Sequence, residues 1–441
     1  MAEKNFINEV IYIHPYTPFI YPWNNIPLSL PALINRLPFK INGFFAEELN
    51  KSTIKNAKIA IIDIHWFISL YGAYILCKKL KKTNKEIIII AGGLTASEFS
   101  ELLIENFNID FIVRGDGEIP LAMLVNNLLN DYNINDVPNI IGKNDFFTEQ
   151  KYFLTQEDIE VNDYLNIDFF PSFKQIIYNL HKFINLGSPI FPFIVISRGC
   201  PFNCKYCAGS VSDQMKLFKR GCLIRSPDRV VDDIRRIEAN KKFSFIRILH
   251  DFLAIGDDDY VNNILGNNKF KLKLGIELFS TPKTEQLKHL MDCFDGGTIT
   301  FPMDNNHSTT DILTNIETLI QSILLVQRNP NYHPILYYNK TFAIGNKMYQ
   351  SAVDEIYKKT NCKVLDMSWW WVDYPIPDDN GYSENSTFES FFKASYNQER
   401  IFNKDKNDLK PPYRYRISKS LYLLRNYKNI NNIVKNIDLN K

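Results

Sequence analysis

Residues 197–210 read SRGCPFNCKYCAGS. Three of the chain's 7 cysteines, Cys200, Cys204 and Cys207, fall in this one stretch, spaced by three residues and then by two. Soft anionic thiolates gathered at one point are ligands for metal. A structural zinc site needs four closed ligands. The nearest candidate for a fourth is Cys222, which stands outside any paired CxxC. An iron–sulfur cluster held by three thiolates would instead leave one iron open to a substrate.

The cysteine stretch opens a series of alternating elements. The strand PFIVIS (192–197) runs straight into it, and a helix follows over 227–239. Further strands are FSFIRILH (243–250), KLKLGIELFS (271–280), GTITFP (297–302), HPILYYNKTFAI (333–344) and CKVLDMSW (362–369). Helical patterns at 284–291, 310–327 and 351–359 separate the later ones. About six βα units are too few for a closed eight-unit barrel, so the pattern predicts a partial, open one.

Upstream lies a second alternating series. NEVIYIHP (8–15), AKIAIIDIHW (57–66), EIIIIAGG (86–93) and IDFIVRGDGE (109–118) read as strands, with helices over 30–37, 70–80, 96–107 and 119–129. Continuous β-branched runs alternating with amphipathic helices imply a parallel sheet covered on both faces. Two of the strands run into glycine turns, Gly92-Gly93 and Gly115-Asp116-Gly117. Such turns lie at carboxyl ends of strands, where open parallel sheets take their ligands. Residues 131–185 are irregular and read as a crossing between domains.

The bulk numbers narrow the class. The chain has 441 residues, 45% hydrophobic and 23% charged, as in an ordinary soluble protein with ample core. A net charge of +2 points neither to nucleic acid nor to a membrane surface. The N-terminus MAEKNFINEVIYIHP lacks a signal-peptide core, and no apolar run approaches the roughly 18 residues of a membrane span. An odd number of scattered cysteines suits a reducing cytoplasm. The basic stretch 410–441, interleaved with tyrosines, is either a solvated helix or a partner surface.

CxxxCxxC with Tyr206 before its last cysteine resembles the radical S-adenosylmethionine (SAM) enzymes. The segments AGGLTASEF, DFIVRGDGEIPL, VPNIIG, SRGCPFNCKYCAGS, RSPDRVVDDI and GIELFSTPKTEQL resemble, more narrowly, the cobalamin-binding branch of that family. The fold this implies is α/β: a Rossmann-like cobalamin domain (1–135), a connector (136–185), a partial (βα)6 radical SAM barrel (186–375) and a C-terminal extension (376–441). The resemblance implies that Cys200, Cys204 and Cys207 hold a [4Fe–4S] cluster whose fourth iron SAM chelates. Cleavage of SAM then gives a 5′-deoxyadenosyl radical, chemistry that belongs to the cofactor.

The same resemblance puts Tyr206 near the adenine, with Arg198 and Ser210 flanking the cluster or simply ordering its loop. Asp251, in LHDFLAIGDD, either replaces the acidic residue of the family's Gly-Gly-Glu-like turn or forms a strand-end pair with His250. Glu277 and Ser280 lie on the third strand, and a carboxylate amid apolar residues is costly to bury without a partner. That marks Glu277 as a site residue. FPMDNNH departs from the serine-containing turn of the family, leaving Asp304 as a candidate SAM contact. The tryptophans of SWWWVDYPIP (368–377) either line a substrate pocket or close the barrel.

Cobalamin is expected against Gly92, Gly93, Leu94 and Thr95, with Gly115–Glu118 as the neighbouring wall. Alternatively these are ordinary turns of a domain that has lost its cofactor. Asp63-Ile64-His65 imitates the D-x-H-x-x-G motif whose histidine coordinates cobalt. Here Ile68 replaces the glycine, and the segment follows a later strand than that motif does. Cobalamin is therefore expected without a histidine ligand.

The reaction expected is methylation of an unactivated carbon in an unknown small-molecule or peptide substrate, fed by an electron donor such as flavodoxin or ferredoxin. A non-methylating rearrangement or cyclisation, and a metal-binding protein without turnover, are the alternatives. Methylthio transfer is disfavoured, because only Cys77 lies upstream of the motif to hold a second cluster.

Overall fold

Two parallel sheets account for the two alternating series. A computed structural model describes residues 4–17, 26–183, 191–202, 211–303, 316–338, 347–366 and 395. The first sheet has strands β1 (Phe6–His14), β2 (Lys40–Phe45), β3 (Ile59–Asp63), β4 (Ile88–Gly92), β5 (Phe111–Val113) and β6 (Ile140–Gly142). Their order is β2-β1-β3-β4-β5-β6, parallel except for β6, which runs antiparallel to β5. Side chains alternate faces along each strand. Val10, Tyr12, Ile59, Ile61, Ile90 and Val113 pack with the helices Leu30–Arg36 and Glu118–Leu129. Ile11, Ile13, Ala60, Ile62, Ile89 and Ile112 pack on the other face with the helices Leu70–Thr83 and Ser100–Phe107. Burial on both faces explains the unbroken apolar runs.

In this doubly wound order the chain reverses direction between β1 and β3, which opens a crevice at their carboxyl ends. Strand β2 has no counterpart in the strands read from sequence. KINGFF is interrupted by Asn42-Gly43, and Gly43 is where the rings of Tyr12 and Phe170 press closest; a Cβ there would lie 3.1 Å from each.

The second sheet begins at β7 (Phe193–Ile194). After it, β8 (Ser197–Arg198) and β9 (Leu223–Ile224) form a separate antiparallel ribbon, so PFIVIS is split between two sheets. The main sheet continues with β10 (Phe245–Ile248), β11 (Lys273–Glu277), β12 (Gly297–Pro302), β13 (Tyr332–Tyr338) and β14 (Lys363–Asp366). All six strands are parallel and in sequential order from β7 to β14. The helices Pro227–Ala239, Thr284–Cys293, Ile316–Gln327 and Lys347–Thr360 alternate with them. This is the partial six-unit βα array expected. The C-terminal extension lies outside the described residues, apart from Ser395, whose hydroxyl donates to the Ile68 carbonyl at 2.8 Å.

Residues 136–185 do more than connect. VPNIIG supplies β6, and Phe173, Ile177 and Leu180 of the helix Pro171–Phe183 join the first domain's core. His181 on that helix stacks on Phe245 of β10 at 4.0 Å. The Ser244 amide donates to its Nδ1 at 3.2 Å, so the proton sits on Nε2 and donates to the Phe191 carbonyl at 2.8 Å. The helix thus joins both sheets.

Candidate active site

The crevice of the first sheet is a cavity of about 740 Å³, part of it open to solvent. Its sheet wall is Ile61, Ile90 and Val113, and its roof is Leu30, Leu33 and Leu121 from the two helices above. Gly92, Gly93, Leu94, Gly115 and Glu118 all line it, as the strand-end reading expects. Thr95 does not. Its hydroxyl and amide both donate to the His65 carbonyl, at 3.0 and 3.2 Å, docking the turn onto the end of β3. Gly93 is demanded by that docking: its φ is 114°, and a Cβ would stand 2.7 Å from the His65 Cα.

The cavity floor is polar where β1 and β3 end. The Tyr12 hydroxyl donates to Asp63 Oδ1 at 2.5 Å, and His14 Nδ1 lies 2.9 Å from the same oxygen. Burial, with Asp63 adding to it, pushes the Tyr12 hydroxyl well above its usual range. Asp63 also lines the cavity. His65 lines it too, with its ring edge-on to Trp66 at 4.4 Å, and burial lowers its pKa to about 4. Ile68 points into the opposite core at 1% exposure. The polar residues closing β1 went unread in the sequence, although a tyrosine and a histidine ending an apolar run were the available signal.

The cysteine stretch approaches this cavity from the other domain. The β8–β9 ribbon carries Arg198 and Gly199 to the half-buried Cys200, whose thiol burial pushes up. Cys222 lies on the β9 side, near enough for its charge to add to the upward shift of Cys200. The Ser197 hydroxyl sits 2.8 Å from the Gly199 carbonyl and 3.1 Å from His250 Nδ1. Cys204, Tyr206, Cys207 and Ser210 lie outside the described residues, as do Asp304 and Trp369–Trp371.

Arg198 lines the cavity together with Glu118. Its Nη1 donates to Glu118 Oε1 at 2.5 Å and its Nη2 to Asp116 Oδ1 at 3.4 Å. Arg220 grips Asp116 with Nε and Nη2, at 2.6 and 2.7 Å, and its Nη1 donates to the Arg198 carbonyl at 3.0 Å. Burial alone would favour neutral Arg198, but the Glu118 charge, then that of Asp116, outweighs it and raises its pKa.

At the carboxyl ends of β10 and β11 the three remaining candidates gather. Asp251 is 1% exposed; its carboxylate accepts from the amides of Leu253 at 3.0 Å and Phe279 at 2.8 Å. Burial nevertheless pushes its pKa up to about 7, against the pull of these amides and that of Ser280. Glu277 pairs with Arg247 of the neighbouring strand, which meets the cost of placing it there. Ser280 is half-buried. His250, its pKa lowered to about 4 by burial, bridges this corner to Ser197 and thus to the start of the cysteine stretch.

No protein-family model matches the chain. Among curated proteins it is similar to an uncharacterised methyltransferase of Pyrococcus horikoshii, 26% identical over 190 residues, 42% of this chain and 38% of that protein. It is also similar to the hopanoid C-3 methylase of Methylococcus capsulatus, 26% identical over 37% of this chain and 29% of that protein. The anaerobic magnesium-protoporphyrin IX monomethyl ester cyclase of Synechocystis sp. is 31% identical over 29% of this chain and 24% of that protein. The chain therefore matches well under half the length of these relatives.

Among solved structures, the radical SAM methyltransferase TsrM of Kitasatospora setae superposes with a TM-score of 0.56 at 12% identity, over 80% of this chain and 71% of that one. TsrM has been seen with cobalamin and a [4Fe–4S] cluster bound. The cobalamin-dependent SAM radical enzyme OxsB superposes with a TM-score of 0.55 at 14% identity, over 91% of this chain and 56% of that one. The chain has the fold of TsrM and OxsB.

Asp116 and Arg220, which join the domains, are further residues that the sequence did not reveal as site residues. Asp116 was read only as part of a turn, and Arg220 not at all. Charged residues that meet only in the folded chain, such as Asp116 and Arg220, leave no periodic signal. No helix among the described residues is long and apolar enough to cross a membrane.

Proposed function

We propose that this chain is a cobalamin-dependent radical SAM enzyme that methylates an unactivated carbon. The observation that carries the reading is the meeting of Arg198, two residues before Cys200, with Glu118 at the rim of the first domain's cavity. It brings the glycine turn at the end of β5 and the start of the cysteine stretch to one place, which supports two cofactors acting on one substrate.

The residues present fit the groups. Cobalamin's nucleotide tail would lie on the apolar wall between Gly92–Leu94 and Gly115–Glu118. Asp63, which takes both Tyr12 and His14 on Oδ1, would offer Oδ2 as an acceptor on the floor. Cys200, Cys204 and Cys207 would hold the cluster. Tyr206, Ser210, Glu277 and Ser280 are the proposed SAM contacts. Asp251, whose carboxylate is engaged by backbone amides, would act by holding the β10 and β11 turns in place. When bound, the cluster supplies the electron that cleaves SAM, and cobalamin supplies the carried methyl group. The chain's task is to orient both and to exclude water, and the buried charges between its domains serve that enclosure.

A radical cyclisation or rearrangement is the second reading, favoured by the 31% identity to a cyclase over 129 residues. SAM carrying a deuterated methyl group separates the two. With cluster, cobalamin, a flavodoxin or ferredoxin donor and substrate present, methylation predicts 5′-deoxyadenosine and S-adenosylhomocysteine in similar amounts and label in the product. Deoxyadenosine without homocysteine or label transfer would favour cyclisation. Neither product in the loaded protein with its substrate would show a protein without turnover.

A further inference from the structure

Arg198 belongs to two sites at once. Its guanidinium forms part of the cavity wall, while its backbone leads through Gly199 to Cys200. The side chains of Asp116 and Glu118 are 0% exposed and that of Arg198 is 17% exposed, so the contact is a buried one. Two carboxylates face two guanidiniums, Arg198 and Arg220, and the charges balance. Backbone amides complete the contact: Asp116 Oδ2, already held by Arg220 Nε, also accepts from the Leu154 amide at 3.0 Å, and Glu118 Oε2 accepts from the Gly117 amide at 3.1 Å. Arg220 additionally fixes the Arg198 carbonyl.

A buried ion pair tolerates little displacement, because separating the partners leaves a charge out of water and uncompensated. The 115–118 turn and the 198–200 segment therefore have one favourable relative position. Whatever fixes one of them fixes the other.

We propose that the Arg198–Glu118 contact is a latch that couples the two cofactor sites, so that cobalamin binding in the cavity and cluster binding at the cysteine stretch reinforce each other. Arg198 is a positioning residue in this scheme. The proposal rests on the reading of the two sites given above. Coupling between binding sites is reciprocal, so either cofactor raises the affinity for the other by the same factor.

The test titrates hydroxocobalamin into the full chain under anaerobic conditions, once with the cluster reconstituted and once with the iron removed. The wild type is expected to bind about tenfold more tightly with the cluster present, inside the usual range of coupling. Arg198→Lys keeps the charge but loses the fork that reaches both carboxylates. Glu118→Gln keeps the shape but loses the charge. In both, the ratio of the two affinities should fall close to one, whereas a merely structural contact would weaken both affinities and leave the ratio alone. The wild-type comparison needs no variant, so a misfolded substitution does not spoil the test. Equal affinities in the wild type, or a ratio that survives in the folded variants, would overturn the latch alone. Absence of cobalamin binding in either state of the wild type would overturn the cobalamin reading along with it.

Discussion

The carboxylate of Asp63 is engaged with His14, at 2.9 Å from its Nδ1, and makes no hydrogen bond to the ring of His65 two residues on. An aspartate beside a metal-binding histidine normally orients that ring through its second nitrogen. Here the Tyr12 hydroxyl and His14 take that carboxylate oxygen, and Ile68 lies in the core. Cobalamin is accordingly expected to bind with no protein nitrogen on cobalt. The Co(II) form should give an EPR spectrum without nitrogen superhyperfine splitting. A split signal that disappears in His65→Ala would contradict this.

Asp251 is expected to be a clamp. Its replacement by asparagine sets an NH2 donor against a backbone amide donor where an oxygen accepted, and should destabilise the protein by about 1–3 kcal/mol. Because burial raises its pKa to about 7, above the unfolded value, its contribution is fully present at low pH and is lost as pH rises toward 7. The gap in stability between wild type and Asp251→Asn should therefore narrow from pH 4 to 7 in denaturant melts. A gap that widens would show that the charged form is the favoured one.

Much of this was legible in the sequence, and the misses have physical causes. GTITFP and the helix over 227–239 fall where their patterns put them, because unbroken burial in the one and amphipathic spacing in the other leave a periodic trace. Both glycine turns end at the cavity for the same reason. PFIVIS was read as one strand, since apolar continuity cannot show that its end peels away to pair with β9. Glu277 was marked by the cost of its burial, but its partner Arg247 sat in FIRILH as an equally odd charge on the next strand. Pairing two such anomalies would have found the ion pair. Arg198 and Glu118 offered no comparable clue.

His181 should make the protein acid-sensitive. Burial lowers its pKa to about 4, so the unfolded chain binds a proton that the folded one refuses. Its contribution is present above about pH 6.5 and lost as pH falls toward 4. That window corresponds to a loss on the order of 3 kcal/mol. His181→Gln, which keeps a donor for the Phe191 carbonyl, should flatten this part of the stability profile. An unchanged slope would show that the imidazole is protonated in the fold.

Glu277 separates into two roles by a double substitution. Glu277→Ala takes a carboxylate away from the buried Arg247 guanidinium and should cost about 1–3 kcal/mol, less than the loss of a fully buried pair because the Glu277 side chain is 31% exposed. Replacing both residues by leucine should recover most of that stability. If Glu277 also contacts SAM, affinity for SAM in calorimetry stays weak in the stable double variant. Recovery of affinity along with stability would leave Glu277 a structural residue only.

The central claim is tested most directly by counting metal and cofactor on anaerobically reconstituted protein. A single cubane requires about four irons per chain, and the account predicts that number together with about one tightly held cobalamin. It predicts loss of the iron when Cys200, Cys204 and Cys207 are changed together to alanine, and its retention in Cys222→Ala. Tight zinc with no iron uptake, or a cluster that survives the triple substitution, would contradict the account.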